Sequence, residues 1–207
     1  MKTSLKIAII GATGNVGKRI TEEALNRGHH VTGIARTVDG NAARNNLTLK
    51  VGDIGNPEAL AGMLKGHDLV VSSVKPGDYD HDQLIKAVRL SGVKRYVVVG
   101  GAGSLEVAPG VTAVDSGTLP DFVLPVAKAA QNYLKILQSA EDLDWTVLSP
   151  ANEFTAGERT GKFRLGNHEL IADENGRSAI SFEDYAIALL DEIETPRHLK
   201  DYFSIGY

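Results

Sequence analysis

An apolar run, Leu5 to Ile10, passes directly into Gly11-Ala12-Thr13-Gly14-Asn15-Val16-Gly17 and then into an amphipathic segment, Val16 to Asn26, that closes at Arg27-Gly28. A chain that turns from strand to helix through glycines spaced three apart has few folds open to it. Gly11 permits a tight turn out of the strand, Gly14 lets backbone N–H groups approach a ligand unhindered, and Gly17 lets the helix pack closely on the strand. The helix N-terminus then faces whatever the loop encloses, and its amides favour an anion such as a pyrophosphate. The spacing G-x-x-G-x-x-G differs by one residue from the G-x-G-x-x-G fingerprint, so the reading leans on the flanking strand, the helix and a second apolar run, Val31 to Ala35. A glycine-rich turn without a ligand is the alternative.

Strand and helix alternate from there. Val31 to Arg36 and Leu47 to Val51 read as strands joined by a polar segment containing Asp39-Gly40-Asn41. Ala59 to Leu64 reads as a short helix, introduced by Asn56 as cap, Pro57 and Glu58. Leu69 to Val74 is a fourth strand, Gln83 to Ser91 a helix closed by Gly92, and Tyr96 to Val99 a fifth strand. A loop from Gly100 to Leu119 leads into a long helix, Val123 to Ala140, and a strand at Thr146 to Leu148. Segments 162–165 and 169–172 look like a hairpin around Gly166-Asn167. A helix, Phe182 to Ile193, and a strand, Tyr202 to Ile205, complete the order. The apolar strands are continuous rather than alternating, which implies burial on both faces. The expected fold is therefore α/β: a doubly wound, mostly parallel Rossmann-type sheet flanked by helices, in one domain over 1–207, with a small C-terminal elaboration from about residue 150.

With 207 residues the chain is long enough for a substantial core, and its net charge of -4 with no basic run argues against a nucleic-acid partner. No apolar stretch approaches the ~20 residues of a spanning helix, so no membrane partner is expected. The absence of cysteine excludes disulfides and thiol catalysis and fits a reducing, cytoplasmic location.

The dinucleotide type turns on the end of the second strand, where a carboxylate would bind a ribose 2′-hydroxyl. Arg36 stands there, and a guanidinium pairs with a 2′-phosphate, with Thr37 as a further donor. NADP(H) is therefore favoured, NAD(H) stays possible, and Arg36 as a merely solvated strand end is the alternative. Asp53, after the third strand, is placed to accept from the adenine amino group with Ile54 against the ring, or else to cap its loop.

With these residues identified, the chain resembles the atypical short-chain dehydrogenase/reductases, most closely the NAD(P)H-binding group of candidate NADH-flavin reductases, related to NmrA-like proteins and to biliverdin-IXβ (flavin) reductase. The likeness rests on the glycine loop, Val51-Gly52-Asp53-Ile54, the stretch from Gly92 to Leu105, Asp144 to Ala151, and Ile180 to Ala186, covering almost the full length. It implies that Ser72, Ser73 and Val74 run under the ribose and pyrophosphate, that Gly100 to Ala102, and so Gly100 and Gly101, lie beside the nicotinamide, and that the Ser149-Pro150-Ala151 turn sets Pro150 against the ring. From the residues alone, Ser72 and Ser73 serve equally to cap the Pro76-Gly77 turn.

The departures limit the chemistry. Carbonyl-reducing members use Tyr-x-x-x-Lys, where the tyrosine donates a proton; the matching segment here is Leu124-Pro125-Val126-Ala127-Lys128. Lys128 is the one catalytic-site residue carried over, to hold the nicotinamide ribose, unless it is a solvated helix residue. The serine and histidine of biliverdin-IXβ reductase fall at Gly101 and about Ala151, which disfavours a tetrapyrrole. Tyr133 is a substitute proton donor if its side chain turns inward, or else a core or surface residue. The loop apolar residues Leu105, Val107, Pro109 and Val111 are lid or core cover, with Asn152, Glu153 and Phe154 on the opposite side. His29, His30, His67 and His81 lack metal-ligand spacing, which leaves surface or capping roles.

Hydride transfer to a ketone without an acid leaves an alkoxide in an apolar site. Flavins and quinones instead spread the charge over a ring and take a proton from solvent. The expected function is NADPH-dependent reduction of a small flavin or quinone-like acceptor. A non-catalytic NADP(H) sensor acting on a protein partner is the alternative, and a nucleotide-sugar epimerase or dehydratase, which needs the tyrosine, comes third.

Overall fold

The computed structural model describes residues 4–38 and 44–207, so Asp39-Gly40-Asn41 lies outside it. Strands β1 (Lys6–Ile10), β2 (His30–Ala35), β3 (Leu47–Val51), β4 (Leu69–Ser72), β5 (Arg95–Val99), β8 (Asp144–Pro150) and β12 (Asp201–Gly206) are parallel neighbours in one sheet, joined at its edge by the antiparallel β10 (Arg164–Gly166). Its order, β3-β2-β1-β4-β5-β8-β12-β10, reverses between β1 and β4. At such a reversal the loops following the two strands part and open a crevice at the carboxyl edge.

Alternation along β1 explains the layering. Ile7 and Ile9 face helices α1 (Asn15–Asn26) and α5 (Phe182–Glu194), while Ala8 and Ile10 face α2 (Pro57–Leu64), α3 (His81–Ser91) and α4 (Leu124–Gln138). The doubly wound α/β expectation is met, with one exception at β3, whose Val51 is 59% exposed because it forms the sheet edge.

Helix starts follow local chemistry. The Asn56 side chain accepts from Ala59 N–H, and Ser181 from Asp184 N–H. Asp80 accepts from the amides of Asp82 and Gln83, so α3 begins at His81, two residues before the expected Gln83.

Two expectations in the second half are corrected. Segments 162–165 and 169–172 do not form a hairpin: Leu165 pairs with Ile205 on β12, and Glu169 bridges to Glu106. β12 otherwise presents an unpaired edge, and the nearby segment satisfies it. The loop from Gly100 to Leu119 is not irregular throughout: it contains a 3₁₀ turn, Ala102–Ser104, and a hairpin of β6 (Glu106–Ala108) and β7 (Val111–Thr112). A small parallel pair, β9 (Glu153–Thr155) with β11 (Ala179–Ser181), also forms. No described helix is long and apolar enough to cross a membrane.

Candidate dinucleotide site and acceptor cleft

The glycine loop lies at the crevice between β1 and β4. Gly11 has φ +83°, and a Cβ there would meet the Ser73 carbonyl oxygen at 2.5 Å. A Cβ on Gly17 would stand 2.1 Å from the Gly11 oxygen, so α1 rests directly on the turn. Gly14 differs: its nearest neighbour would be the Gly11 oxygen at 3.3 Å, and then only the Ser73 oxygen at 4.0 Å. Its open side faces out of the fold.

The start of α1 contrasts with α2, α3 and α5. Each of those has a capping side chain and an acidic residue in its first turn, whereas α1 begins after Gly14 with neither. Its first-turn amides therefore present an uncompensated positive dipole end beside the open face of Gly14. Thr13 and Asn15 are exposed there, and Val16 is half-buried against the core. A phosphate group fits this place; a carboxylate in the first turn would have repelled it.

Arg36 and Thr37 follow β2 on the same edge; both are exposed, and Arg36 makes no ion pair with a described residue. Asp53 is exposed past β3, its Oδ1 accepting from Gly55 N–H at 2.9 Å, so it caps its own turn and keeps Oδ2 free. Ile54 packs partly against the core. Ser73 and Val74 lie against Gly11, but Ser72 does not project into the crevice. Its side chain is buried beside the Tyr79 and Tyr96 phenols, because alternation turns it toward the helix layer. Only its backbone is left for a ligand.

Beyond the crevice lies a cleft of about 190 Å³. Gly100, Gly101 and Gly103 form its floor. These glycines are required by packing: a Cβ at Gly100 would meet Ser149 Oγ at 2.8 Å, and one at Gly103 the Ala127 oxygen at 2.7 Å. Leu119, Val123, Val126, Ala127 and Ala130 form one wall, and Pro150, Ala151, Asn152 and Phe154 the other. Phe154 is fixed edge-on to Phe182, with ring centroids 4.7 Å apart. Among the described residues lining the cleft, Asn152 carries the only hydrogen-bonding side chain.

Other candidates fall outside this lining. Lys128 is exposed on α4, one residue past Ala127, and Leu124, at the missing tyrosine position, is half-buried. Tyr133 belongs to the core: its hydroxyl bonds to that of Tyr96 at 2.5 Å, and its ring stacks on His81. Burial pushes the Tyr133 phenol up and that of Tyr96 to about 12, so neither is a ready proton donor. Leu105 is fully buried, Val107 and Val111 sit on the exposed hairpin, and Leu119 is what the loop contributes to the cleft wall besides its glycines and Ala102. Glu153 turns away to pair with Arg177. His67 bridges the Leu64 carbonyl and the Thr32 hydroxyl, a structural role. No cluster of described residues could hold a metal ion. A larger groove, about 410 Å³, lies along α1 near Arg159, where Arg159 pairs with Glu23 and Arg19 with Glu183, while Glu22 pairs with Arg44 beyond the lining.

A family model described as NAD(P)H-binding matches residues 11–196. Protein YwnB of Bacillus subtilis is 38% identical over 97% of this chain and 98% of its own length. A candidate epimerase from Bacteroides thetaiotaomicron superposes with a TM-score of 0.94 at 40% identity, over 99% of this chain and 98% of that one. A candidate NADH-flavin reductase from Streptococcus pneumoniae does so with a TM-score of 0.83 at 36% identity, over 98% and 99%.

Proposed function

The chain belongs to the NAD(P)H-binding family, and from that premise we propose that it is an NADPH-dependent reductase of a flavin or quinone-like acceptor. The observation that carries the reading is the cleft: apolar walls and a glycine floor beside the crevice, with no acid or base side chain among its described lining residues. When bound, a reduced nicotinamide supplies a hydride. The protein's part is then to stack two planar rings and exclude water, leaving protonation to solvent. Ketone reduction would develop an alkoxide against alanine, valine and proline, with no acid among the described lining residues to protonate it. The same lack of an acid-base group weighs against an epimerase role for this chain.

On this reading the first-turn amides of α1 and Gly14 hold the pyrophosphate, flanked by Thr13 and Asn15. Arg36 and Thr37 take the 2′-phosphate, which makes NADP(H) the preferred cofactor over NAD(H), and Asp53 Oδ2 accepts from the adenine amino group above Ile54. Ser73 and Val74 run under the ribose, Lys128 reaches the nicotinamide ribose from the rim, and Gly100, Gly101 and Pro150 border the nicotinamide. Purified protein mixed with NADPH and FMN should consume nicotinamide absorbance well above the uncatalysed rate. No acceleration with any flavin or quinone sinks the proposal. The bare cleft also favours a second reading, a sensor that binds NADP(H) without turnover; it requires measurably different affinities for the oxidised and reduced forms.

A further inference from the structure

Within the reductase reading, the cleft itself specifies which edge an acceptor ring should carry. Asn152 follows the buried Ala151, and its backbone is held in place: Asn152 N–H donates to Ser178 Oγ at 3.2 Å and Glu153 N–H to the Ser178 carbonyl at 2.8 Å. The side chain is exposed at the cleft rim and makes no hydrogen bond to a described residue. A fixed backbone thus presents an unengaged amide to a cavity otherwise lined by alanine, valine, leucine, proline, phenylalanine and glycine.

An amide offers a donor, Nδ2, beside an acceptor, Oδ1. It pairs through two hydrogen bonds with an edge that sets a donor next to an acceptor, such as an N–H beside a carbonyl. A quinone has carbonyls alone and engages Nδ2 while leaving Oδ1 to water. A ring lying on the glycine floor between the Val126 wall and Phe154 brings its edge to residue 152. We infer that Asn152 is the specificity-determining residue of the cleft and selects planar acceptors with a ring N–H beside a ring carbonyl, as on the pyrimidine edge of a flavin. It touches the acceptor away from the reacting atoms, so its loss weakens acceptor binding and leaves cofactor binding unchanged.

The test compares lumiflavin with 3-methyllumiflavin, which lacks the N–H, by flavin fluorescence titration of protein saturated with NADP⁺. Wild type should bind lumiflavin about 3- to 10-fold more tightly, the value of one net hydrogen bond at a wet rim. Asn152→Leu should bind the two equally, with an unchanged Kd for NADP⁺ and unchanged circular dichroism; Asn152→Gln should restore part of the preference. Equal binding of both flavins by wild type, or the same preference in Asn152→Leu, overturns the inference even if NADPH oxidation is catalysed. The expected preference without turnover upholds Asn152 while sinking the reductase reading. Failure of both flavins to bind overturns the inference, and the reductase reading falls with it only if no quinone is reduced either.

Discussion

Gly14 and Gly17 occupy one loop, yet alanine should separate them into a binding position and a packing position. At Gly17 the new Cβ would lie 2.1 Å from the Gly11 oxygen and 2.9 Å from its carbonyl carbon. Both are backbone atoms of a turn pinned by Gly11 N–H to the Ile34 oxygen at 2.8 Å, so α1 must move outward by more than about 1 Å to reach ordinary van der Waals contact. Overpacking of that kind costs about 1–3 kcal/mol, set against a gain of about 1 kcal/mol from replacing glycine inside a helix. The upper half of that range should prevail because neither partner is a flexible side chain, giving a net loss of about 1–2 kcal/mol and a Tm lower by about 2–8 °C. At Gly14, by contrast, the closest contact is 3.3 Å and the outer side is open. The small N-cap penalty of alanine is roughly cancelled by the lower entropy of its unfolded chain, so Tm should stay within about 3 °C. The methyl instead occupies the approach to the first-turn amides, and loss of one charge-assisted hydrogen bond raises the NADPH Kd about 10- to 100-fold. Differential scanning fluorimetry and nicotinamide fluorescence titration read the two effects separately. If Gly14→Ala binds NADPH as tightly as wild type, the open face is not where phosphate sits.

Arg36→Glu should reverse the ratio of NADPH to NADH affinity by at least tenfold, since a carboxylate repels the 2′-phosphate; unchanged selectivity would refute the assignment. Tyr133→Phe removes the bond to Tyr96 and should lower stability by about 1 kcal/mol while leaving kcat unaltered, a result that a proton-donating Tyr133 would not give. Burial lowers the His81 pKa in the folded protein, with Asp80 and Asp82 opposing, while in the unfolded chain it titrates near 6.5. The unfolded state then binds the extra proton first, so His81 costs no stability above about pH 6.5 and progressively more as pH falls below it. Urea unfolding between about pH 5 and 7 should show a shallower slope in His81→Phe, which keeps the stack on Tyr133. Glu192→Ala leaves the mostly buried Arg95 without its carboxylate and Arg197 and His198 amides without an acceptor, and should cost about 3–5 kcal/mol by urea denaturation.

The legible part of this chain was the part determined locally. The turn from Ile10 into α1, the Asn56 cap and the αL closure of α3 at Gly92 each depend on residues a few positions apart, so spacing alone revealed them. What stayed hidden depends on partners distant in sequence. Leu165 carried a turn signal at Gly166 but no mark of pairing with Ile205, because a strand's partner is chosen by which edge remains unpaired. The direction of the Ser72 side chain was equally hidden, because it follows from the register against Ile10 and Val98 that fixes which face of the sheet it occupies. Val123, Val126 and Ala130 show the same ambiguity: their spacing marks one face of α4, and any amphipathic helix packed on a core has that pattern. They become a cleft wall only because Gly103 lets the 3₁₀ turn approach Ala127 so closely that the rest of the face is left over the glycine floor. A Gly103→Ala variant should therefore push α4 outward at Ala127 and widen the cleft. Acceptor KM should rise several-fold while the NADPH Kd, set at the other end of the crevice, stays put; a parallel rise in both would show that cleft and crevice are one mechanical unit.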